Sequence, residues 1–161
     1  MFTLLFVVLV VSGCASGPRL PAPGAPVPDG PPPRGGDTLA EVAFIALSLV
    51  GTPYAPGGHS PDSGFDCSGL VAYVFARAAG LRLPRNTFDL ARSGAAVEPH
   101  DLRPGDLVFY NTQRRAFSHV GIYLGEARFV HAPSTGAAVR VDDMRVAYWS
   151  RRFDGARRLT E

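Results

Sequence analysis

One thiol sits in an unusual setting: Gly64-Phe65-Asp66-Cys67-Ser68-Gly69-Leu70-Val71, with Ser118-His119-Val120-Gly121 and His131 further along. A cysteine opening an apolar helical pattern, followed by two histidines, supplies a nucleophile, a base and an orienting group. A thiol attacks a carbonyl as thiolate, and a free cysteine with a pKa of about 8.5 is only slightly ionised at neutral pH. In the first turn of a helix the sulfur of Cys67 would lie near unpaired backbone N–H groups. These stabilise the anion by about 0.3–1 kcal/mol at an exposed position, and a neighbouring histidinium would lower the pKa further. The same N–H groups can donate to a developing oxyanion.

The two histidines have to meet. If the hairpin from 119 to 131 turns on a three-residue loop centred at Gly125, His119 faces His131 directly, with Cβ atoms about 5 Å apart. One imidazole then contacts the thiol, and the other fixes its tautomer and orientation, as the third member of a triad does. A one-residue slip would turn His131 to the opposite face. Cys67, His119 and His131, with His59, are also potential metal ligands, but their spacing matches no standard zinc motif. No metal or cofactor is expected.

The elements that position these residues follow from periodicity. Thr38 and Glu41 have capping-box spacing, and Leu39, Val42, Ala43, Ala46 and Leu49 recur at helical period, which predicts a helix over 37–50 ended by Gly51. Asp66 can N-cap a second helix with Leu70, Val71, Val74, Phe75 and Ala78 as its buried stripe and Gly80 as its C-cap. A short helix is expected after Asn86. Beyond the turn Arg103-Pro104-Gly105-Asp106 the pattern changes to strands at 107–110, 120–124, 128–132, 139–141 and 156–159. Helices first and strands after predict an α+β fold with the N-terminal helices packed on one side of a small antiparallel β-sheet.

Residues 1–36 differ from the rest. Phe2 to Val11 is apolar apart from Thr3, a stretch of ten residues too short to cross a bilayer as a helix, and Ser12-Gly13-Cys14 follows it. The run suits the h-region of an export signal. Leu9-Val10-Val11-Ser12-Gly13-Cys14 resembles a bacterial lipobox, which would make Cys14 the lipidated residue, although no Lys or Arg precedes Arg19. Residues 15–36 carry eight prolines and five glycines and are expected to form an extended, disordered tether reaching roughly 70 Å. All sixteen basic residues are Arg, and Arg19, Arg34 and Asp29 precede residue 37, leaving fourteen Arg against thirteen acids beyond it. So balanced a domain gives no electrostatic case for nucleic acid. If Cys14 carries lipid, Cys67 has no disulfide partner and is free for use.

The motifs Gly51-Thr52-Pro53-Tyr54, Gly57-Gly58, Gly64 to Val71, Leu83-Pro84-Arg85, Arg103-Pro104-Gly105-Asp106-Leu107-Val108-Phe109, Ser118 to Gly125 and Phe129-Val130-His131-Ala132-Pro133 occur in this order. Together they resemble the NlpC-type cell-wall peptidases, and the resemblance runs from about residue 40 to 159. It implies a papain-like α+β fold and hydrolysis of peptide bonds in peptidoglycan stem peptides or cross-links. It implies Cys67 as nucleophile, His119 as general base and acid, and His131 as the orienting third member. It also places Tyr54 beside the nucleophile, binding substrate or the oxyanion, with Ser68 and Asp66 flanking the cleft. Pro56 departs from the bulky side chain common before Gly57-Gly58, which bears on one substrate subsite.

The expected organisation is therefore a lipoprotein signal segment (1–14), a tether (15–36) and a cysteine peptidase domain (37–161). With the lipobox and tether, the chain is most like the short murein endopeptidase lipoproteins of that family. Ala15 after Cys14, rather than an inner-membrane-retaining Asp, points to an outer-membrane anchor facing the periplasm if the cell is Gram-negative. A monomer is expected because no exposed apolar stripe stands out. Two rivals remain: a non-catalytic peptidoglycan-binding or scaffold lipoprotein on the same fold, and the same thioester chemistry turned to another amide or to acyl transfer.

Overall fold

In the computed structural model, residues 36–159 are described; Cys14, the lipobox and nearly all of the expected tether lie outside them. Helix α1 (Gly36–Ser48) is followed by a two-stranded ribbon, β1 (His59–Ser60) and β2 (Gly64–Phe65), and by α2 (Cys67–Ala79). Then come α3 (Thr87–Leu90), β3 (Ala95–Val97), a 3₁₀ turn (Pro99–Asp101), β4 (Leu107–Tyr110), β5 (His119–Gly125), β6 (Arg128–His131), β7 (Arg140–Asp143), α4 (Ala147–Ser150) and β8 (Phe153–Arg158). The second sheet is antiparallel in the order β3-β8-β4-β5-β6-β7. The last strand is thus an inner one, inserted between β3 and β4. No described helix is long and apolar enough to cross a membrane.

Alternation along the strands divides the sheet into two faces. Leu107, Phe109, Val120, Ile122 and Val130 point to one side, where they bury against Val42 and Ala46 of α1 and Leu70, Val71, Val74 and Phe75 of α2. The expected α+β arrangement is what the chain adopts. Val108, Tyr110, Phe129 and Ala156 point to the other side, where Trp149 of α4 closes a smaller aromatic cluster. Both histidines belong to this second face by register, since His119 pairs with Tyr110. α4 was not foreseen; four residues are too few to show a helical period.

The caps of α2 follow the sequence closely. Asp66 accepts from the Gly69 amide at 2.6 Å, and Gly80 takes a left-handed conformation (φ 66°) while its N–H bonds back to Phe75. Helix α1 begins at Gly36, so Thr38 lies inside its first turn rather than at the N-cap position the capping-box spacing gave it. The outer side of α1 and the turn after it expose Phe44, Leu47 and Val50, so the absence of an apolar stripe, on which the monomer expectation rested, does not hold. The turn before β4 is pinned by charge. Asp106 is fully buried, accepts from the Arg103 amide at 2.7 Å, and receives the Arg158 guanidinium through Nε (2.8 Å) and Nη2 (2.7 Å). That fork ties the turn to the end of β8.

Candidate active site

The thiol of Cys67 stands at the first residue of α2, is half-buried, and forms no disulfide among the described residues. Backbone N–H groups of Val120, Ser68 and Cys67 itself lie close enough to favour its thiolate. The Val120 contact sets the sulfur against β5, next to the residue that follows His119. Burial outweighs these N–H groups, and with Asp66 nearby the thiol is pushed up to about 11. The expectation that the helix start lowers this pKa is therefore reversed: the local donors are present, but desolvation is the larger effect.

His119 and His131 meet, though not as directly opposed residues. Ile122 pairs with Val130 and Tyr123 with Phe129, so the register carries His131 opposite Gly121. The loop is a two-residue turn, Glu126-Ala127, with both residues at positive φ (52° and 59°), and an irregularity precedes it at Gly125. A shift of two residues preserves the face, which is why the histidines still converge. A side chain at Gly121 would come within 2.6 Å of the Phe129 ring and 3.2 Å of His131 Cβ. The absence of one lets the His131 ring lean diagonally towards His119.

The rings meet edge to face with centroids 4.9 Å apart, and His119 Nε2 lies 2.8 Å from His131 Nδ1. Both are almost inaccessible, at 4% and 0% exposure. Burial lowers His119 to about 3, with His131 and Arg140 adding to the effect, and it lowers His131 to about 4 against the opposing pull of Asp142. At neutral pH the rings are uncharged.

The other expected residues divide by what their side chains already do. The single hydroxyl proton of Ser68 is shared between the Arg85 carbonyl at 2.9 Å and Asp66 Oδ1 at 3.0 Å. Asp66 is committed to the cap, with Arg85 Nη2 at 3.7 Å. Both therefore build the loop under Cys67. Tyr54 has a raised pKa, from burial first and then from Cys67 and Asp66, which places its hydroxyl within their electrostatic reach. His59 lies exposed on β1 with Nδ1 3.3 Å from the Gly57 carbonyl. Among the described residues no group of three His, Cys, Asp or Glu side chains is arranged to hold a metal ion.

Three residues of the site escaped the sequence reading: Asp142, Arg140 and Trp149. Asp142 Oδ2 lies 2.9 Å from His131 Nε2, accepts from Trp149 Nε1 at 3.1 Å, and is forked by the Arg140 guanidinium. Trp149 stacks on His119 with 24° between the rings and meets His131 edge-on. On β7, Asp142 lies two residues beyond Arg140, which pairs with His131, so it shares the histidine face; that register comes from the folded sheet and is not written in the sequence. Nothing local marks Trp149. A cavity of about 570 Å³ opens beside this cluster, lined by His119, Pro133, Arg140, Asp142, Tyr148 and Trp149 among others; Cys67 is not part of its wall.

An α+β domain with a helix-start thiol against a strand that carries one of two bonded imidazoles is the architecture of a papain-like cysteine hydrolase. Residues 51–158 match the NlpC/P60 family, and the chain belongs to that family. It is 42% identical over 116 residues to murein DD-endopeptidase MepH of Escherichia coli K12, a match covering 70% of this chain and 43% of MepH. It is 43% identical over 115 residues to the γ-DL-glutamyl hydrolase of Bacillus subtilis 168, covering 71% of this chain and 28% of that enzyme. The chain thus spans less than half the length of either relative. Among solved structures, an NlpC/P60 family protein from Bacillus cereus superposes with a TM-score of 0.72 at 27% identity, over 81% of this chain and 42% of that one.

Proposed function

We propose that the chain is a cysteine endopeptidase of peptidoglycan stem peptides or cross-links, exported and anchored by lipid on Cys14, with residues 15–36 as the tether. The observation that carries the reading is the contact set at one strand: the Cys67 thiol beside the Val120 amide, with His119, the preceding residue, bonded to His131. The names of the relatives support the substrate class, and the lipobox and Pro-rich segment support export. The domain needs no metal or cofactor for this chemistry.

In the acylation step Cys67 Sγ attacks the scissile carbonyl carbon as its proton passes to His119. With the thiol pushed up to about 11 and the imidazole held down to about 3, the resting pair is neutral, so proton transfer accompanies attack rather than preceding it. The oxyanion would take its hydrogen bonds from the N–H groups at the start of α2, with Tyr54 as a further donor. The C–N bond then breaks, His119 returns the proton to the leaving amine, and a thioester remains. Water, deprotonated by His119, releases the carboxylate and restores the thiol.

The test is digestion of purified peptidoglycan by the chain, with and without EDTA, against Cys67→Ala, with products identified by mass. Soluble products that persist in EDTA and vanish in the variant are expected, and their masses name the bond: a D-Ala–diaminopimelate cross-link or a γ-D-glutamyl–diaminopimelate bond within a stem. No products from a folded chain whose Cys67 also resists alkylation at high pH would favour a wall-binding module instead.

A further inference from the structure

The hydrogen-bond chain runs on past His131 to an acceptor that cannot change role. Asp142 Oδ2 is approached by His131 Nε2 at 2.9 Å, Trp149 Nε1 at 3.1 Å, and Arg140 Nε and Nη2 at 3.2 and 3.1 Å. Indole and guanidinium nitrogens only donate. Oδ2 is therefore an acceptor for every group around it, and His131 Nε2 must present an N–H. His131 is uncharged at neutral pH because it is buried and because Arg140 offsets the Asp142 carboxylate. It holds one proton, at Nε2, and its Nδ1 is a lone pair. The partner of that lone pair, His119 Nε2 at 2.8 Å, must then also be N–H. Since His119 is uncharged as well, its remaining nitrogen, Nδ1, is bare.

We propose that Asp142 is a positioning residue that sets the tautomers of both histidines in series, leaving Nδ1 of His119 as the basic nitrogen for the Cys67 proton. This deepens the peptidase reading and rests on it. Acid at one end selects the nitrogen that works at the other, two rings away. Trp149 supports the arrangement twice, by donating to the same oxygen and by packing against both rings. The geometry also ranks substitutions. Asparagine can keep its carbonyl oxygen where the four donor nitrogens converge, at the cost of the Arg140 Nε contact, because its NH₂ then takes the place of Oδ1 and cannot accept. Alanine leaves the Nε2 proton of His131 without its acceptor, so either tautomer of the pair becomes available.

The test is made on the full chain at pH 7, by long-range ¹H–¹⁵N correlation of both imidazoles and by kcat and KM on a cross-linked muropeptide. The wild type is expected to show Nε2–H on His119 and His131. Asp142→Ala should show mixed tautomers at both rings and lose about 10²-fold in kcat with KM within about two-fold, as expected for a misassigned general base. Asp142→Asn should restore Nε2–H at both rings and turn over measurably faster than the alanine variant, the shortfall from the wild type reflecting the lost charge. Wild-type His131 protonated at Nδ1, a folded Asp142→Ala with unchanged tautomers, or an Asp142→Asn as impaired as the alanine variant would each overturn the proposal. If the alanine variant does not fold, the wild-type and asparagine spectra decide. A wild type that cleaves nothing yet shows both Nε2–H signals would sink the peptidase reading and leave the tautomer assignment standing.

Discussion

Two uncharged histidines buried in one contact make the fold sensitive to acid, and the size of the effect can be worked out. An unfolded histidine titrates at about 6.5, whereas His119 and His131 are lowered to about 3 and about 4 by burial. Both folded pKa values lie below the unfolded value, so the unfolded chain binds the extra protons. The contribution to stability is complete above the unfolded pKa and is lost as pH falls towards the folded values. Between pH 7 and 5 each ring costs about 2 kcal/mol, roughly 4 kcal/mol together, against a typical domain stability of about 5–15 kcal/mol. The window is clean: Asp142 is lowered and titrates beneath it, Cys67 is raised and titrates above it. Denaturant midpoints followed by circular dichroism from pH 7.5 to 5 should show this fall. His131→Asn should roughly halve the slope. A stability that varies by less than about 1 kcal/mol over this range, or a His131→Asn chain with the full wild-type slope, would mean that the two rings are not buried uncharged.

Three further outcomes follow. Gly121→Ala places a methyl 2.6 Å from the Phe129 ring and 2.8 Å from the Val130 carbonyl; overpacking of this kind costs about 1–3 kcal/mol, and calorimetry with a parallel activity assay should show lower Tm and a loss of turnover as His131 is displaced. Arg158→Met leaves the buried Asp106 carboxylate unpaired and should cost about 3–5 kcal/mol in denaturant unfolding, much of it recovered in the double variant Asp106→Leu/Arg158→Met. With the Cys67 thiol pushed up to about 11, alkylation by iodoacetamide should speed up about tenfold per pH unit from pH 7 to 10; a rate plateau below pH 7 would reveal a standing thiolate–imidazolium pair instead.

The parts of the fold that were legible are those whose cause is local. The second helix is spelled out by Asp66, a five-residue stripe and Gly80, and each acts within its own turn or one turn away. The strands expected at 107–110 and 120–124 are short apolar runs bounded by turn residues, and the second extends by one residue at each end in the fold. What was not legible depends on distant partners. The β3–β8 pairing joins Ala95 to Arg158, and no window of sequence contains both. The hairpin loop was misjudged because Glu126 and Ala127 carry none of the usual Asn-Gly signal for positive φ; register moved by two residues, and parity alone kept His119 and His131 together. In the site, Cys67 and the histidines were visible as residue types that do chemistry. Asp142 and Trp149 were not, since an acid on a late strand and one indole acquire meaning only once β7 and α4 lie against His131. The Cys67 pKa was misjudged for a related reason: the donors of a helix start can be read from sequence, and the burial that overrides them cannot.

The most direct measurement of the central claim is kcat/KM on a purified cross-linked muropeptide for the wild-type chain, Cys67→Ala, His119→Ala and the double variant, compared side by side. Groups that act as one unit lose nearly everything at the first substitution. Either single variant is expected to fall to background, with the double variant no worse. A Cys67→Ala chain that retains turnover, or single losses that multiply in the double variant, would contradict that claim.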